Sequence, residues 1–292
     1  MASLKEVRAR IASVTSTRKI TSAMRMVSAA KLRRAQDAIT NYLPYEQKLT
    51  QMLGDLLAFS SGNLNIPLSE KREVKRVAVV VISSNGSLCG AFNSNVIKKL
   101  EETIAKYSVL DNKDILVYAL GKKAADSARK RNFPSQVEMQ AVVDKPDYEQ
   151  VAALANELMA LFLKKEIDAV ELIYNHFKNA AVQQVRVEKL LPLIPETKKT
   201  STVDGYLLDY ILEPDDQFLV ARLVPKAVRN KLYSALLDSV AGEFGARTTA
   251  MQIATDNAGE MINELKLKYN KARQEAITKE IIDIVGGAES LR

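Results

Sequence analysis

The chain has 292 residues and a net charge of +7, and 47% of its residues are hydrophobic, which is enough to build a sizeable core. Its single cysteine excludes an intramolecular disulfide bond. No apolar run approaches the roughly 18 residues that a membrane-spanning helix requires, so the composition predicts a soluble protein.

Apolar and small residues spaced three and four apart predict a long coiled-coil helix over residues 1–59. The spacing weakens at Arg18 and Thr21 and resumes near Met24. We expect Pro44 to kink or delay this helix, because proline lacks an amide donor and crowds the preceding turn. The clearest part of the predicted seam is Ala35, Ala38, Tyr42, Tyr45, Leu49, Met52, Leu56 and Phe59.

The excess positive charge lies at the start of this helix. Residues 1–34 contain nine Lys and Arg residues against Glu6 alone, so this segment carries +8 and the remainder of the chain −1. Such a segment could bind nucleic acid, act as a targeting peptide, face an acidic protein surface, or be a plain solvated face. No aromatic residue precedes Tyr42, which argues against nucleic acid. The helical pattern continues past residue 34, which argues against a cleaved targeting peptide.

The middle of the chain alternates predicted strands with predicted helices, which is typical of a parallel sheet. The β-branched run Val77–Ile82 predicts a strand that is buried on both faces. The last two strands are expected to pair around a turn near Lys178, which gives the sheet an antiparallel edge. We therefore predict a Rossmann-like α/β domain over residues 73–190. Its predicted strands are 77–82, 115–120, 137–143, 169–175 and 182–190, and its predicted helices are 94–106, 122–131 and 147–164.

No catalytic or ligand-binding motif stands out in this domain. The glycine loop at residues 83–90 lacks the GxGxxG spacing of dinucleotide sites, and Gly121-Lys122 lacks the upstream glycine and the hydroxyl of a P-loop. Cys89 is predicted to be a small buried residue. His176 has neither cysteines nor clustered carboxylates in the sequence around it to form a metal site. We therefore expect no catalytic residue, no cofactor and no metal.

A second heptad run predicts a coiled-coil helix within residues 207–288, again with a proline, Pro225, inside it. Half of its twelve seam positions are Ala or Thr, so the pair can approach closely while it buries little apolar area. Apolar residues on more than one side of its end, at 277–285, indicate a tip covered by partners. The predicted seam is Leu237, Ala241, Phe244, Thr248, Met251, Thr255, Ala258, Ile262, Leu265, Tyr269, Ala272 and Ala276.

Four segments resemble the gamma subunit of the rotary F-type ATP synthase. ITKEIIDIVGGA at 277–288 and TDNAGEMINELKLKYNKARQ at 255–274 resemble the C-terminal signature of that family. IASVTSTRKITSAMRMVSAAKLRRAQ at 11–36 resembles its first helix, and SLCGAFN at 87–93 resembles its first loop. This chain has Gly86-Ser87 where the family has Arg-Gly, so no role is carried over to position 86.

The resemblance implies an antiparallel coiled coil of the two terminal helices plus a central α/β domain. It implies the central rotor stalk of a proton-driven ATP synthase, which transmits torque from a membrane c ring to the catalytic hexamer without being catalytic itself. The implied partners are the alpha, beta and epsilon subunits and the c ring, with one copy of this chain per complex. The implied location is peripheral, on the cytoplasmic face of the bacterial inner membrane.

Individual residues take roles from the same resemblance. Contacts with the beta subunits are implied for Met24, Arg8, Arg10, Lys19, Arg273, Gln274, Thr278 and Glu280. Contacts between the base of the stalk and the c ring are implied for Tyr206, Leu207, Leu208 and Tyr210. Two rival hypotheses are a basic coiled coil that binds nucleic acid, suggested by the +8 segment, and an α/β enzyme with helical arms, suggested by the first strand, loop and helix.

Overall fold

The computed structural model describes residues 4–59, 66–137, 139–193, 213 and 215–289. Two compact units are present: an α/β unit, residues 30–246, and a helix-pair unit that joins residues 1–29 with residues 247–292. Two long helices, α1 (Leu4–Phe59) and α6 (Asp216–Glu289), each contribute to both units. Within the described ranges, no helix has the length and apolar character that crossing a membrane demands. The predicted boundaries 1–59, 73–190 and 207–288 stay a prediction.

The sheet of the α/β unit has four strands in the order β2-β1-β3-β4. β1 is parallel to β2 and to β3, whereas β3 and β4 are antiparallel, which confirms the predicted parallel sheet with an antiparallel edge. The strands are β1 (Val77–Ile82), β2 (Ile115–Leu120), β3 (Ala169–Phe177) and β4 (Gln183–Leu191), and the helices between them are α2 (Phe92–Lys106), α3 (Lys122–Lys130), α4 (Gln140–Asp144) and α5 (Tyr148–Leu163).

Strand β1 lies at the centre of the core, since all of its residues are buried. Successive side chains of a strand point to opposite faces. Val77, Val79 and Val81 accordingly pack in one cluster with residues of α2 and α3. Ala78 and Val80 pack in a second cluster with residues of α1, α5 and α6. The sheet is therefore covered by helices on both faces, as its apolar run predicted.

The predicted strand at 137–143 is wrong. An isolated parallel bridge joins Ser135 to Val117 just before this stretch, and Gln140–Asp144 then form the short helix α4. The adjacent residues Val142 and Val143 are both buried in one core cluster, and both lie in this helix. A short apolar run has no periodicity that separates a strand from a buried helical turn.

Neither proline ends or delays its helix: α1 continues through Pro44, and α6 begins before Pro225 and continues through it. Each proline removes one helical hydrogen bond, and tertiary packing supplies most of the stability of a helix. Val224 and Val228, on either side of Pro225, are 2% and 0% exposed. The buried neighbours thus hold the helical backbone where the local sequence opposes it.

The seam of α1 within the α/β unit differs from the predicted one. Tyr45 and Met52 are 43% and 44% exposed, whereas Leu49, Leu53 and Leu56 are buried. The three- and four-residue spacing therefore passes through Leu53 instead of Met52. The heptad pattern of one helix does not specify which of two adjacent apolar residues faces the partner helix.

Candidate partner-binding surfaces

The helix-pair unit is an antiparallel pair, as predicted. Residues of α1 with rising numbers contact residues of α6 with falling numbers, so the two helices run in opposite directions. Three cross-helix hydrogen bonds fix this direction: Arg8 to the hydroxyl of Tyr269 at 2.7 Å, Thr255 to Thr21 at 2.8 Å, and Arg25 to the side-chain oxygen of Gln252 at 2.6 Å.

The pair has a thin apolar seam. Four predicted seam residues of α6 are buried, and they face a few residues of α1, two of which are also buried. Alanine and serine contribute far less apolar area than leucine, which stabilises by about 1.5–3 kcal/mol when fully buried. The buried residues are Val7, Ser28, Met251, Ala258, Ile262 and Leu265.

A polar layer interrupts this seam at the point where the heptad pattern weakens. Thr255 Oγ1 lies 2.8 Å from Thr21 Oγ1 and 2.7 Å from the carbonyl oxygen of Met251. One turn away, Gln252 accepts from Arg25 and donates to both carboxylate oxygens of Asp256, at 2.9 and 2.7 Å. Sequence reasoning missed this network. The sequence contained a signal for it: the heptad pattern of α1 is interrupted at Thr21, and the second heptad run also contains a threonine, Thr255, which is its partner.

The cations of α1 in this unit are not neutralised by described carboxylates. Arg10 and Lys19 are exposed and form no side-chain hydrogen bond or ion pair with any described residue, and Arg8, Arg18 and Arg25 form no ion pair with one. Arg8 contacts Tyr269 through its hydrogen bond and lies with its guanidinium carbon 5.6 Å from the ring centre. The positive charge of this segment is therefore available to an acidic surface.

The structure does not gather the predicted beta-contact residues into one cluster. Met24 is half-buried, and its neighbour Arg25 faces Gln252. The second group begins 21 positions farther along α6, roughly 30 Å at the helical rise. Its members, Arg273, Gln274, Thr278 and Glu280, are exposed and make no side-chain hydrogen bond with a described residue. Two separate patches result, and Arg8 lies beside the second one through Tyr269.

Exposed apolar side chains cover much of this unit, including its tip. Ile281, Ile282, Ile284 and Val285 are between 55% and 71% exposed, in line with apolar residues on more than one side of the tip. A contiguous exposed apolar surface marks a binding site for a partner. The sequence reasoning missed further exposed apolar residues, since they fall outside both seams: Ile20, Met26, Val27, Ile253, Met261 and Leu267.

A groove lies beside the polar layer of the same unit. It has a volume of about 500 Å³, and its lining includes apolar side chains of both helices and the hydrogen-bonded pair Arg25 and Gln252. It continues the exposed apolar surface of Met26 and Ile253. The lining residues are Arg25, Met26, Ala29, Thr248, Thr249, Gln252 and Ile253.

The α/β unit contains no comparable chemical centre among its described residues. Cys89 is 1% exposed, which confirms the prediction of a buried cysteine. His176 Nδ1 lies 2.6 Å from Asp238 Oδ2, and burial raises the pKa of the Asp238 carboxyl above its ordinary value, while hydrogen bonds from His176 and from the Phe177 amide act in the opposite direction. No group of three potential metal ligands occurs in the described part of the chain.

The predicted c-ring contacts, Tyr206, Leu207, Leu208 and Tyr210, lie outside the described residues.

Comparisons with known proteins cover almost the whole chain. The sequence profile of the family described as ATP synthase matches residues 3–291. The chain is 49% identical over 288 residues to the ATP synthase gamma chain of Phocaeicola vulgatus, with 99% of each chain covered. It is 51% identical over 291 residues to the ATP synthase gamma chain of Bacteroides fragilis, with 99% of each chain covered.

Two solved structures share the fold. A chain in the cryo-EM structure of the Euglena gracilis mitochondrial ATP synthase, in rotational state 3, gives a TM-score of 0.66 at 18% identity and covers 99% of this chain and 94% of that one. A chain in the central stalk and c-ring structure of the Tetrahymena thermophila mitochondrial ATP synthase gives 0.57 at 24% identity, with 80% and 99% covered. At these identities the likeness establishes the fold alone.

Proposed function

The chain belongs to the ATP synthase gamma-chain family, and we propose that it is the central rotor stalk of a proton-driven ATP synthase. The observation that carries the proposal is the match of about half of all residues to gamma chains over essentially the full length. In this role the chain transmits torque between a membrane ring of c subunits and a catalytic head of alpha and beta subunits.

The helix-pair unit has the properties expected of an axle that turns inside a protein sleeve. Its seam is small and partly polar, so the pair gains little stability from its own interior. Its outside exposes apolar residues such as Leu267, which is 71% exposed, and cations without described carboxylate partners. Both kinds of surface are stabilised when a partner covers them. The enclosing partner is the alpha and beta hexamer.

The contacts with beta subunits form two levels along the axle. At one level Met24 and the cation Lys19 face acidic or apolar loops of beta, whereas Arg10, two residues from Arg8, belongs to the other level. At the other, near the tip, Arg273, Gln274, Thr278 and Glu280 offer donors and acceptors that no described side chain of this chain occupies. Arg8 belongs to this second level because it bonds to Tyr269.

The remaining partners and the location follow from the family assignment. Tyr206, Leu207, Leu208 and Tyr210 contact the c ring, and the α/β unit binds the epsilon subunit. One copy of the chain serves each complex. The chain is peripheral to the membrane and lies on the cytoplasmic face of the bacterial inner membrane, held there by the complex.

The chain itself is not catalytic in this proposal. It acts by pressing an asymmetric surface against each beta subunit in turn, so that the sites which bind ADP and phosphate, form ATP and release it change conformation in sequence. No cofactor or metal is required for that work. Family membership also explains the +8 segment without nucleic acid.

Reconstitution tests the proposal. The alpha, beta and epsilon subunits and the membrane sector of the same organism are combined with and without this chain, and ATP-driven proton uptake into vesicles is measured. We expect a stable complex and proton uptake only when the chain is present. A complex that assembles and pumps equally well without it would refute the assignment. Salt-dependent binding of the chain to nucleic acid at physiological ionic strength would instead favour the alternative.

A further inference from the structure

One segment of α6 rests against the end of the sheet through contacts that differ from ordinary apolar packing. Asp238 accepts a hydrogen bond from the backbone amide of Phe177 at 2.8 Å, and its other oxygen lies 2.6 Å from His176 Nδ1. His176 and Phe177 are the last two residues of β3. The Asp238 carboxylate therefore contacts both the backbone and a side chain at the end of this strand.

Two glycines bring the same segment close to the strand end, to the β3–β4 turn and to the first turn of α2. A Cβ atom at Gly245 would lie 3.0 Å from the ring of Phe177 and 3.3 Å from the Cα atom of Ala180 in the β3–β4 turn. A Cβ atom at Gly242 would lie 3.4 Å from the ring of Phe92, in the first turn of α2. Real Cβ atoms rarely approach as closely as one at Gly245 would, so glycine there permits a contact with the backbone of the β3–β4 turn that a larger residue would open, whereas the contact at Gly242 is close to ordinary van der Waals distance.

The opposite face of α6 is held by the main core. Leu236 and Val240 are buried in the cluster that also contains residues of α1 and α5. At 3.6 residues per turn, Asp238 and Gly245 lie about half a turn from Leu236 on the helix circumference. The helix is therefore fixed on two opposite sides at this level, and a helix held on two sides resists rolling about its own axis.

We propose that this seat of α6, formed by Asp238, Gly242 and Gly245 against His176, Phe177 and Phe92, is the point where torque passes between the α/β unit and α6. The inference rests on the proposed rotor function. The interdigitated core contacts of Leu236 hold one face of α6, and the directional bonds of Asp238 and the backbone contact of Gly245 resist movement on the opposite face. When these contacts are lost, the hexamer of alpha and beta subunits can turn α6 without turning the α/β unit and the c ring by the same angle.

The seat is tested in the complete complex, reconstituted in vesicles, by measuring ATP hydrolysis and ATP-driven proton uptake on the same preparation. Asp238→Ala removes the bonds to β3 without adding volume, and Gly245→Val adds a wedge against Phe177 and Ala180. We expect hydrolysis to persist while the ratio of proton uptake to hydrolysis falls severalfold in Gly245→Val, because overpacking forces the backbone contact apart. Asp238→Ala is expected to have a smaller effect in the same direction.

Two controls separate coupling from folding. Ala221→Val introduces the same β-branched residue at an exposed position of α6 and is expected to keep the wild-type ratio. Hydrogen exchange of the Phe177 amide reports whether the seat has opened, and thermal unfolding of the isolated chain reports its fold. If Gly245→Val does not fold, Gly245→Ala and Asp238→Ala provide the measurement.

The outcomes are distinct. A fallen ratio with faster exchange at Phe177, against an unchanged Ala221→Val, supports the seat. Faster exchange at Phe177 with an unchanged ratio overturns it, and so does an equal fall in Ala221→Val. If the wild-type chain neither assembles nor supports proton uptake, the rotor proposal itself fails.

Discussion

The α/β unit and the helix-pair unit share the helix α6, yet they bury its apolar residues to very different extents. In the α/β unit, Leu232 and Leu236 are 0% exposed. In the helix-pair unit, Ile281 and Ile284 of the same helix are 55% and 71% exposed. The α/β unit thus completes a core of its own, whereas the helix pair leaves apolar surface for another protein to cover. The α/β unit is therefore stabilised by its own core, whereas the helix pair depends on partner subunits to cover its apolar surface.

The largest expected effect comes from deleting residues 281–292. This deletion removes the exposed apolar residues of the tip, so we expect the yield of assembled complex to fall severely while the thermal unfolding of the isolated chain hardly changes. Gel filtration of co-expressed subunits measures the first quantity and circular dichroism the second. Deleting residues 286–292 is the matched control, because it leaves Ile281, Ile282, Ile284 and Val285 in place. Normal assembly after the longer deletion would contradict an enclosed tip.

Met24→Lys places a charge on the half-buried surface that we assign to a beta contact. We expect ATP hydrolysis to continue and most ATP-driven proton uptake to be lost, because an additional cation at that level changes the interaction with the sleeve at each step of rotation. Vesicles that contain the reconstituted complex provide both measurements. Met24→Leu conserves volume and apolar character and should remain coupled. Full coupling in the Lys variant would remove Met24 from the proposed contact.

A pair of leucine truncations measures the comparison directly. Leu236→Ala, in the fully buried core of the α/β unit, is expected to lower the free energy of unfolding by about 2–5 kcal/mol. Leu265→Ala lies in the thin seam, where fewer atoms surround the cavity, and we expect a loss of about 1–2 kcal/mol. Urea denaturation of the isolated chain gives both values. Equal losses would mean that the helix pair is as well packed as the α/β unit.

The smallest predicted effect concerns Glu46, a half-buried residue of α1 in the α/β unit. Burial raises the pKa of its carboxyl, and nearby Glu188 adds to the shift while Lys231 opposes it. A pKa that is higher in the folded state stabilises the fold below the ordinary pKa of glutamate, and this contribution is lost as the pH rises through the folded-state pKa. Glu46→Gln should therefore raise the melting temperature at pH 7, by less than the 2–4 °C that corresponds to about 1 kcal/mol in a domain of this size.

The same variant should lose its advantage as the pH falls toward 4, about the ordinary pKa of a glutamate, because the wild-type carboxyl is then protonated as well. Glu157→Gln makes the same exchange at an exposed position of α5 and is the matched control for the substitution itself. A stabilisation by Glu46→Gln that grows on acidification would reverse the assigned sign.

Periodicity in the sequence was sufficient for the elements with strong patterns. β1 and β2 occur at the predicted residues, because a short continuous apolar run with β-branched and aromatic residues favours a buried strand. The antiparallel pairing of the terminal helices was also predictable, since helices at opposite ends of one chain that share a heptad pattern can pair by folding back. The pattern failed at 137–143, where a run of a few residues fits a strand and a helical turn equally well.

The amino-acid sequence was enough to predict the two long helices and the alternating α/β domain. It also showed the basic first segment and the small residues of the second seam, because each of these depends on local spacing or composition. Only the tertiary structure decided that Leu53 and not Met52 faces inward, that Thr21 meets Thr255, and that Asp238 and Gly245 bind α6 to the end of β3. These features depend on contacts between residues far apart in sequence, and no local pattern specifies which of several compatible partners a side chain will meet.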